Sequence, residues 1–532
     1  MRRRELLKFA GAGVATAVTP LAEGVPDANA GSQGGSGWVN VRTQGAKGDG
    51  AATDSPAINK AIEAVAAVGG GTVYFPAGVY LSYSIRLKSK VGLYLDHGAV
   101  ILAGPTPLDG TTSGGYDAAE PQGAWEPYQD YGHNHWHNSL IWGENLEDFS
   151  ITGPGLIWGK GLSRGWDPAH DPERPDSSKP GVGNKAIALK NCRSVLLRDF
   201  KILEGGWFGL LATGVDNLTI DNLIIDTNRD GIDIDCCRNV RVSNCTVNSP
   251  WDDGICPKSS FALGYARPTE NLTITNCYVT GGYALGTVLD GTWKPVAKDR
   301  EIPTGRIKMG TESNGSFRNV TISNCVFESC RGLAIETVDG ALAEDINFSG
   351  VTMRDLRSAP LFLRLGTRLR GPSDAKPGVL RRVILSNITC SSSARMPSIL
   401  AGVPGHPVED INIHDVFVEQ AGGGTAEMAG ITPEEKANAY PEPEMFGQLP
   451  ATGLFARHVR NLEISNVEIV TRAADARPTF WLEDVDGADF FRVHAPQSGA
   501  PVFDLRNVKN FRSFGSVRLT DTTLENVEQR KI

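Results

Sequence analysis

One short phrase keeps returning along this chain, and it limits the fold more than any other feature. It reads Ser194-Val-Leu-Leu-Arg-Asp, Asn217-Leu-Thr-Ile-Asp-Asn, Asn239-Val-Arg-Val-Ser-Asn-Cys and Asn271-Leu-Thr-Ile-Thr-Asn-Cys. It returns as Asn319-Val-Thr-Ile-Ser-Asn-Cys, Asp345-Ile-Asn-Phe-Ser-Gly, Asp410-Ile-Asn-Ile-His-Asp and Asn461-Leu-Glu-Ile-Ser-Asn. The onsets 194, 217 and 239 are 23 and 22 residues apart, and the later gaps of 32, 48 and 26 fit the same period with loop insertions. Each phrase alternates apolar and polar residues over about five positions, the pattern of a half-buried strand. One such unit cannot bury its apolar face alone, so the units must stack.

A period near 22 with strands and no helix predicts an all-β chain wound as a right-handed parallel β-helix. Leucine-rich repeats of similar length need a Leu lattice that is missing, and propeller blades need about 40 residues or more. Cys192, Cys245, Cys277 and Cys325 each follow an Asn and are read as small residues stacked inside the coil rather than metal ligands. The nine cysteines contain no Cys-x-x-Cys pair. The 61 glycines, about 11% of the 532 residues, are assigned to coil turns that need positive φ. A repeat stack also overrides the length prior of roughly 150 residues per domain. One domain is expected over residues 38–520. A helix over Ala57–Val68, capped by Asp54 or Ser55 and ended by Gly69-Gly70-Gly71, would close the first coil. Irregular insertions stand at 105–138, 163–183, 282–304 and 421–456.

The N-terminus reads as an address. Arg2-Arg3-Arg4 and Lys8 precede an apolar run, Phe9 to Ala22, that is too short to span a bilayer, and Ala28-Asn29-Ala30 offers a cleavage site. Residues 1–30 are expected to be a twin-arginine signal peptide. The chain would then be periplasmic or secreted, with no membrane insertion once the signal is removed. The formal charge is -9. Residues 1–30 carry four basic and three acidic side chains, so removing them leaves about -10, with no electrostatic footprint for nucleic acid.

Chemistry concentrates in Asn228-Arg229-Asp230-Gly-Ile-Asp233-Ile-Asp235 and Trp251-Asp252-Asp253-Gly-Ile-Cys256-Pro-Lys258. The two Asp-Gly-Ile triplets begin 23 residues apart, one coil, so Asp230 and Asp253 should be neighbours at the strand spacing of roughly 4.8 Å. Like charges that close push one pKa upward, and one neutral beside one ionised carboxyl group suits acid/base cleavage of a glycosidic bond. A calcium site or a solvated Asp ladder is the alternative reading of the same residues.

These motifs resemble glycoside hydrolase family 28, the polygalacturonases and their relatives, over residues 38–490. The opening Asn40-Val-Arg-Thr-Gln-Gly-Ala-Lys-Gly-Asp-Gly and Gly69-Gly-Gly-Thr-Val-Tyr-Phe-Pro-Ala-Gly resemble other pectin-active, pectin-lyase-like β-helices and point to fold. The Asn-Arg-Asp and Asp-Asp motifs carry the activity, with Arg229 where Thr is usual. The resemblance implies hydrolysis with inversion, Asp253 as general acid and Asp230 with Asp252 activating water. It implies a pectic oligo- or polysaccharide substrate, no cofactor or metal, and a monomer. A polygalacturonase or exo-galacturonidase is implied first and a rhamnogalacturonan hydrolase or rhamnogalacturonidase second. A pectate lyase and a non-catalytic carbohydrate-binding β-helix are the remaining alternatives.

The later family motifs are altered. Gly310-Thr311-Glu312 matches a Gly-Ser-Glu, but Thr304-Gly305-Arg306 stands where a helper histidine is expected. Arg306-Ile-Lys308 matches a carboxylate-binding Arg-Ile-Lys one coil early, and Ala334 and Glu336 occupy the later position. Lys258, Arg306, Lys308, Glu336 and His458 are the expected substrate-binding residues, with Arg364 and Arg368 as further candidates. Trp207 and Trp251 flank the Asp motifs and could stack on a sugar ring or simply cap the core. His133-Asn-His135-Trp-His137 reads as one face of a strand, either a polar-aromatic loop rimming the cleft or, less favoured, a zinc site. Tyr440 to Pro450 is expected to reach back over the groove and close one end, which would favour exo action.

Overall fold

Each phrase forms a strand because its two apolar positions point the same way. In Arg238–Ser243, Val240 and Val242 are buried while Asn239 and Arg241 face solvent. The strands stack in parallel and in register: Val195, Leu218, Val240, Leu272 and Val320 are successive partners, each one coil on from the last. These columns fill one continuous apolar core. The chain is thus a right-handed parallel β-helix, with strand-to-strand crossovers in the usual right-handed sense. The computed structural model describes residues 37–106, 115–164, 176–297, 303–496 and 499–532. The expected signal, residues 1–30, lies outside the described residues. Gly37–Ile532 forms one compact unit.

A second ladder, the front ladder, carries the site. It stacks Ile85–Arg86, Ile141–Glu144, Lys185–Lys190, Phe208–Thr213, Asp230–Asp235 and Ile255–Lys258 in that order. Ile187, Leu210, Ile232 and Ile255 point inward along one column. Its outer face is covered near the 115–138 insertion, where Trp136 packs with Ala188, Trp207, Phe208, Leu211 and Ala262.

Glycines take part of the left-handed backbone, as expected, but Asn and Asp take much of it too. Asn217, Asn239, Asn271 and Asn319, the first residues of four phrases, all have φ between 54° and 57°. Asn tolerates this region because its short polar side chain can bond locally. Here the side chains also bond from coil to coil: Asn239 donates to Asn217 at 3.1 Å, Asn271 to Asn239 at 3.0 Å and Asn319 to Asn271 at 2.8 Å. One file of residues therefore turns the backbone and ties the coils together.

The cysteines also need correction. All nine are free and buried, but Cys192 is not in file with the other three. Tyr278 donates its N–H to Cys245 and Val326 to Cys277, so Cys245, Cys277 and Cys325 follow one another at one corner. Cys192 follows the front strand Lys185–Lys190 and lies on the row of Val215, because its Asn precedes the phrase rather than ending it.

The helix spans Ser55–Ala67 and buries Ile58, Ala61, Ile62 and Val65. Asp54 makes no side-chain cap; its carboxylate instead accepts the N–H groups of Lys47 and Gly48 at 2.6 and 2.9 Å, pinning the preceding loop. At the other end, beyond the expected boundary at 520, Thr522–Lys531 pairs antiparallel with Phe503–Phe514.

Asn271 offers a test of the turn argument. Asn271→Gly keeps the left-handed turn and loses two side-chain bonds, so it should cost about 1 kcal/mol. Asn271→Val adds a β-branched side chain to a left-handed turn and should cost about 2–3 kcal/mol. Urea denaturation of both variants measures the difference.

Candidate active site

The front ladder brings the Asp motifs together as their spacing predicts. Phe208 pairs with Asp230, and the Gly231 N–H donates to the Asp253 carbonyl at 3.0 Å. Asp230 and Asp253 are therefore neighbours on adjacent coils. The glycine that follows Asp230 is needed there: a Cβ on Gly231 would lie 2.4 Å from the Gly254 carbonyl oxygen. One carboxylate oxygen each of Asp230, Asp252 and Asp253 lies within 4.8 Å of the others. The Asp253 N–H donates to Asp252 at 3.0 Å and to Asp230 at 3.3 Å. Asp230 and Asp253 are buried, and Asp252 is partly exposed.

Side-chain cations surround this trio. Arg306 Nε and Lys308 Nζ each stand 2.9 Å from Asp253. Arg229, which departs from the family pattern, stands 3.0 Å from Asp252 and lies over the Trp207 ring at 4.6 Å. Lys258 stands 4.0 Å from Asp230 and 3.3 Å from Glu312. The trio is thereby split in protonation. Burial, reinforced by Asp252 and Asp233, raises the Asp230 pKa well above the usual carboxylate range. Burial alone would also raise Asp253, but Lys308 and Arg306 together overcome it and hold that group far down. Arg229 does the same for Asp252 against its own burial. The three carboxyl groups are pushed in opposite directions, Asp230 up and Asp252 and Asp253 down, and such a set titrates as a unit.

The remaining predicted residues divide. Arg306-Ile307-Lys308 lies on the coil after the Asp pair, with Ile307 beside Ile255 and Lys308 beside Ala334 on the next. Glu336, two residues along that strand, is fully buried and accepts from Thr311 at 3.2 Å. Burial pushes its pKa up to about 8 against the pull of Lys308 and Arg306. His458 is not brought to the trio. It follows Arg457, on a column reached from Glu336 through Arg364 and Ala401. Counted from the Asp253 coil through those of Arg306 and Glu336, that is five coil steps, about 24 Å, and its ring is held between Asp484 at 2.6 Å and Glu435 at 3.0 Å. Arg364 donates to the carbonyls of Gly402, Glu435 and Lys436, and Arg368 is paired with Asp339.

The late segment does reach back. Glu442 bonds Arg306 at 2.5 Å and Arg331 at 2.6 Å, and the Tyr440 hydroxyl lies 3.1 Å from Thr311 and 3.4 Å from Lys308. Glu442 lies within the segment expected to reach back, but its partners and Arg331 itself were not legible, because no local pattern links positions more than a hundred residues apart. Glu312 was legible only as a motif letter.

The histidine run is not a strand. Tyr131–His133 is a 3-10 turn, seated because the Gly132 backbone packs onto Trp207, where a Cβ would approach the ring to 2.7 Å. The three rings meet different groups: His133 Nε2 is 3.7 Å from Glu312, His135 Nδ1 is 2.9 Å from the Tyr131 carbonyl, and His137 Nε2 is 2.9 Å from Glu144. They share no metal position. Among the described residues, Glu120, His137 and Glu144 could meet at a cation, but Lys190 already stands 3.0 Å from Glu144.

Comparison with known proteins finds similar sequences and a shared fold. A protein of Vitis vinifera named "Probable polygalacturonase" is 25% identical over 403 residues, covering 71% of this chain and 73% of the relative. A probable polygalacturonase of Arabidopsis thaliana is similar at 24% identity over 407 residues, 74% of this chain and 76% of the relative. An exo-poly-alpha-D-galacturonosidase of Dickeya chrysanthemi is 25% identical over 297 residues, 48% of this chain and 47% of the relative. A family model described as a right handed beta helix region matches residues 185–355. One described as rhamnogalacturonase A/epimerase, pectate lyase-like, matches residues 38–100. The fold is shared with a family 28 exopolygalacturonase of Yersinia enterocolitica (TM-score 0.56, 19% identity, 89% of this chain and 78% of that one). It is also shared with a hyperthermoactive exopolygalacturonase of Thermotoga maritima (TM-score 0.54, 22% identity, 72% and 87%).

The buried Glu336 makes stability depend on pH. Its folded pKa lies above the ordinary carboxylate value, so the native state keeps a proton that the unfolded chain has released. That contribution is full below about pH 4.5 and is lost as pH rises through about 8. Glu336→Gln should therefore flatten the fall in stability between pH 5 and pH 8, read from urea midpoints at each pH.

Proposed function

We propose that this chain is a glycoside hydrolase that cleaves α-glycosidic bonds next to galacturonic acid in pectin. The observation that carries the reading is the trio Asp230, Asp252 and Asp253, whose oxygens lie within 4.8 Å of one another on adjacent coils, with Asp230 pushed toward its neutral form and the other two toward their charged forms. Protonating a departing sugar oxygen and activating water need such a divided set. Arg306, Lys308 and Arg331 supply the positive potential that attracts a uronate to a chain of net charge -9.

In the resting site Asp230 is the carboxyl group that its surroundings push toward the protonated form. A substrate carboxylate that draws Lys308 and Arg306 toward itself would release Asp253 to take that proton, the acid role the family resemblance gives it. Asp252 and its partner carboxylate then hold the water. The oxygens are closer than the ~6.5–9.5 Å usual for inverting enzymes, and two carboxylates gripping one water reconcile this with inversion. The Glu442 strap over Arg306 and Arg331 supports exo action, since it obstructs the groove on that side. Export through the signal in residues 1–30 fits a polymer substrate found outside the cell.

A rhamnogalacturonan substrate is the second reading. The match of residues 38–100 to the rhamnogalacturonase A/epimerase model favours it, as does the prior engagement of Arg306, Lys308 and Lys258 by carboxylates of the chain itself.

Incubation with homogalacturonan and rhamnogalacturonan oligosaccharides tests both readings. Single sugars should be released from one chain end, and NMR of the first product should show the inverted anomer. Asp230→Asn, Asp252→Asn and Asp253→Asn should each lower kcat by about 10²–10⁴-fold. Full activity in any of them removes that residue from the chemistry, and products carrying a double bond would replace hydrolysis by elimination.

A further inference from the structure

Several hydrogen-bonding groups beside the trio are buried with nothing to bond, on the side of Asp230 away from the strap. His133 is only 3% exposed, and neither ring nitrogen has a hydrogen-bond partner. The Trp207 indole N–H, the Asn228 amide oxygen and both Asp233 oxygens are likewise unpaired. Leaving such groups unsatisfied costs more than an average hydrogen bond returns, so a cluster of them marks a place where a ligand completes the bonding.

These groups belong to one neighbourhood. The His133 ring lies 4.9 Å from that of Phe208, the ladder partner of Asp230. Trp207 precedes Phe208, and Asn228 lies two residues before Asp230. The segment that delivers His133 is bolted to the front ladder: Trp136 donates to Thr213, Trp125 donates to the Ala262 carbonyl, and Gln129 accepts from the Phe261 N–H, each at 3.1 Å. The imidazole is thus held in place before any ligand arrives.

Its chemistry follows from its neighbours. Burial pushes the ring pKa down to about 4, so the imidazole is neutral at working pH. The Nε2 atom faces the ionised Glu312 carboxylate at 3.7 Å. That carboxylate favours the proton on Nε2 and leaves Nδ1 with a free lone pair. Such a nitrogen accepts from a hydroxyl and repels a carboxylate.

We propose that His133 is a substrate-binding residue of this site, its Nδ1 accepting a hydrogen bond from a ring hydroxyl of the sugar seated against Asp230. The subsite takes an uncharged, hydroxyl-bearing edge of a pyranose, while Arg306, Lys308 and Arg331 serve the charged side. The proposal rests on the hydrolase reading above.

The test uses the full chain and oligosaccharides of galacturonate alone and of alternating rhamnose and galacturonate, with binding by calorimetry beside cleavage rates. His133→Phe keeps the ring contact with Phe208 and removes the acceptor; it should weaken binding about tenfold. His133→Asn offers an amide oxygen near the position of Nδ1 and should stay within about threefold. Analogues lacking one hydroxyl on the terminal ring should include one that binds the wild type about tenfold more weakly and His133→Phe no more weakly than the parent sugar. A wild type that cleaves these sugars while His133→Phe binds them as tightly overturns the assignment and leaves hydrolysis standing. A wild type that neither binds nor cleaves any of them overturns both.

Discussion

In-register parallel pairing between coils decides where every functional group of this chain can be. Because Ile232 pairs with Ile255, Asp230 comes to the level of Asp253, and because Ile255 lies beside Ile307, Arg306 and Lys308 reach Asp253 from the far side. A slip of one residue would turn the inward Ile column outward and scatter the charges. The pairing is enforced twice, by apolar columns within the coil and by the Asn file along its outer turns. The glycine after Asp230 lets neighbouring coils approach closely at the reacting centre.

Burial of so many charges around the trio is tolerable because most of them are opposed. Asp253 has two cations, Glu442 joins Arg306 to Arg331, and Glu312 is shared by Lys258 and Arg370. Buried pairs of this kind contribute little net stability, whereas removing one partner is costly. What the network does is hold the trio at unequal charge without a ligand. The groups left out of it, Asp233, Glu336 and His133, are held neutral by burial. Sites of strain and unmet bonding in a folded chain tend to be sites of function.

The sequence revealed the parts of this architecture that repeat. Strands, coil period, core columns and the Asp230–Asp253 juxtaposition follow from alternation and a spacing of 22 to 23 residues. What it concealed came from long loops, whose return path no period encodes. Glu442 bonds a residue 136 positions away, and His133 meets Glu312 across the front ladder. His458 looked like a site residue by its company in the late segment, yet its coil lies beyond Arg364 and Ala401. Cys192 was misfiled because Asn-Cys recurs at two different corners. Asp54 reads as a helix cap but bonds backward to Lys47 and Gly48.

The last strand has a further consequence. A parallel coil stack leaves unpaired N–H and C=O groups at its final turn, a template on which another chain could add. Thr522–Lys531 lies across that turn in the opposite direction, bearing Glu525, Glu528, Arg530 and Lys531 on a mostly exposed ribbon. A second molecule arriving there meets a reversed and charged border instead of the next rung. The helix Ser55–Ala67 guards the opposite end. Among the described residues, the parallel rungs are thus bordered at both ends by elements that do not continue their pairing.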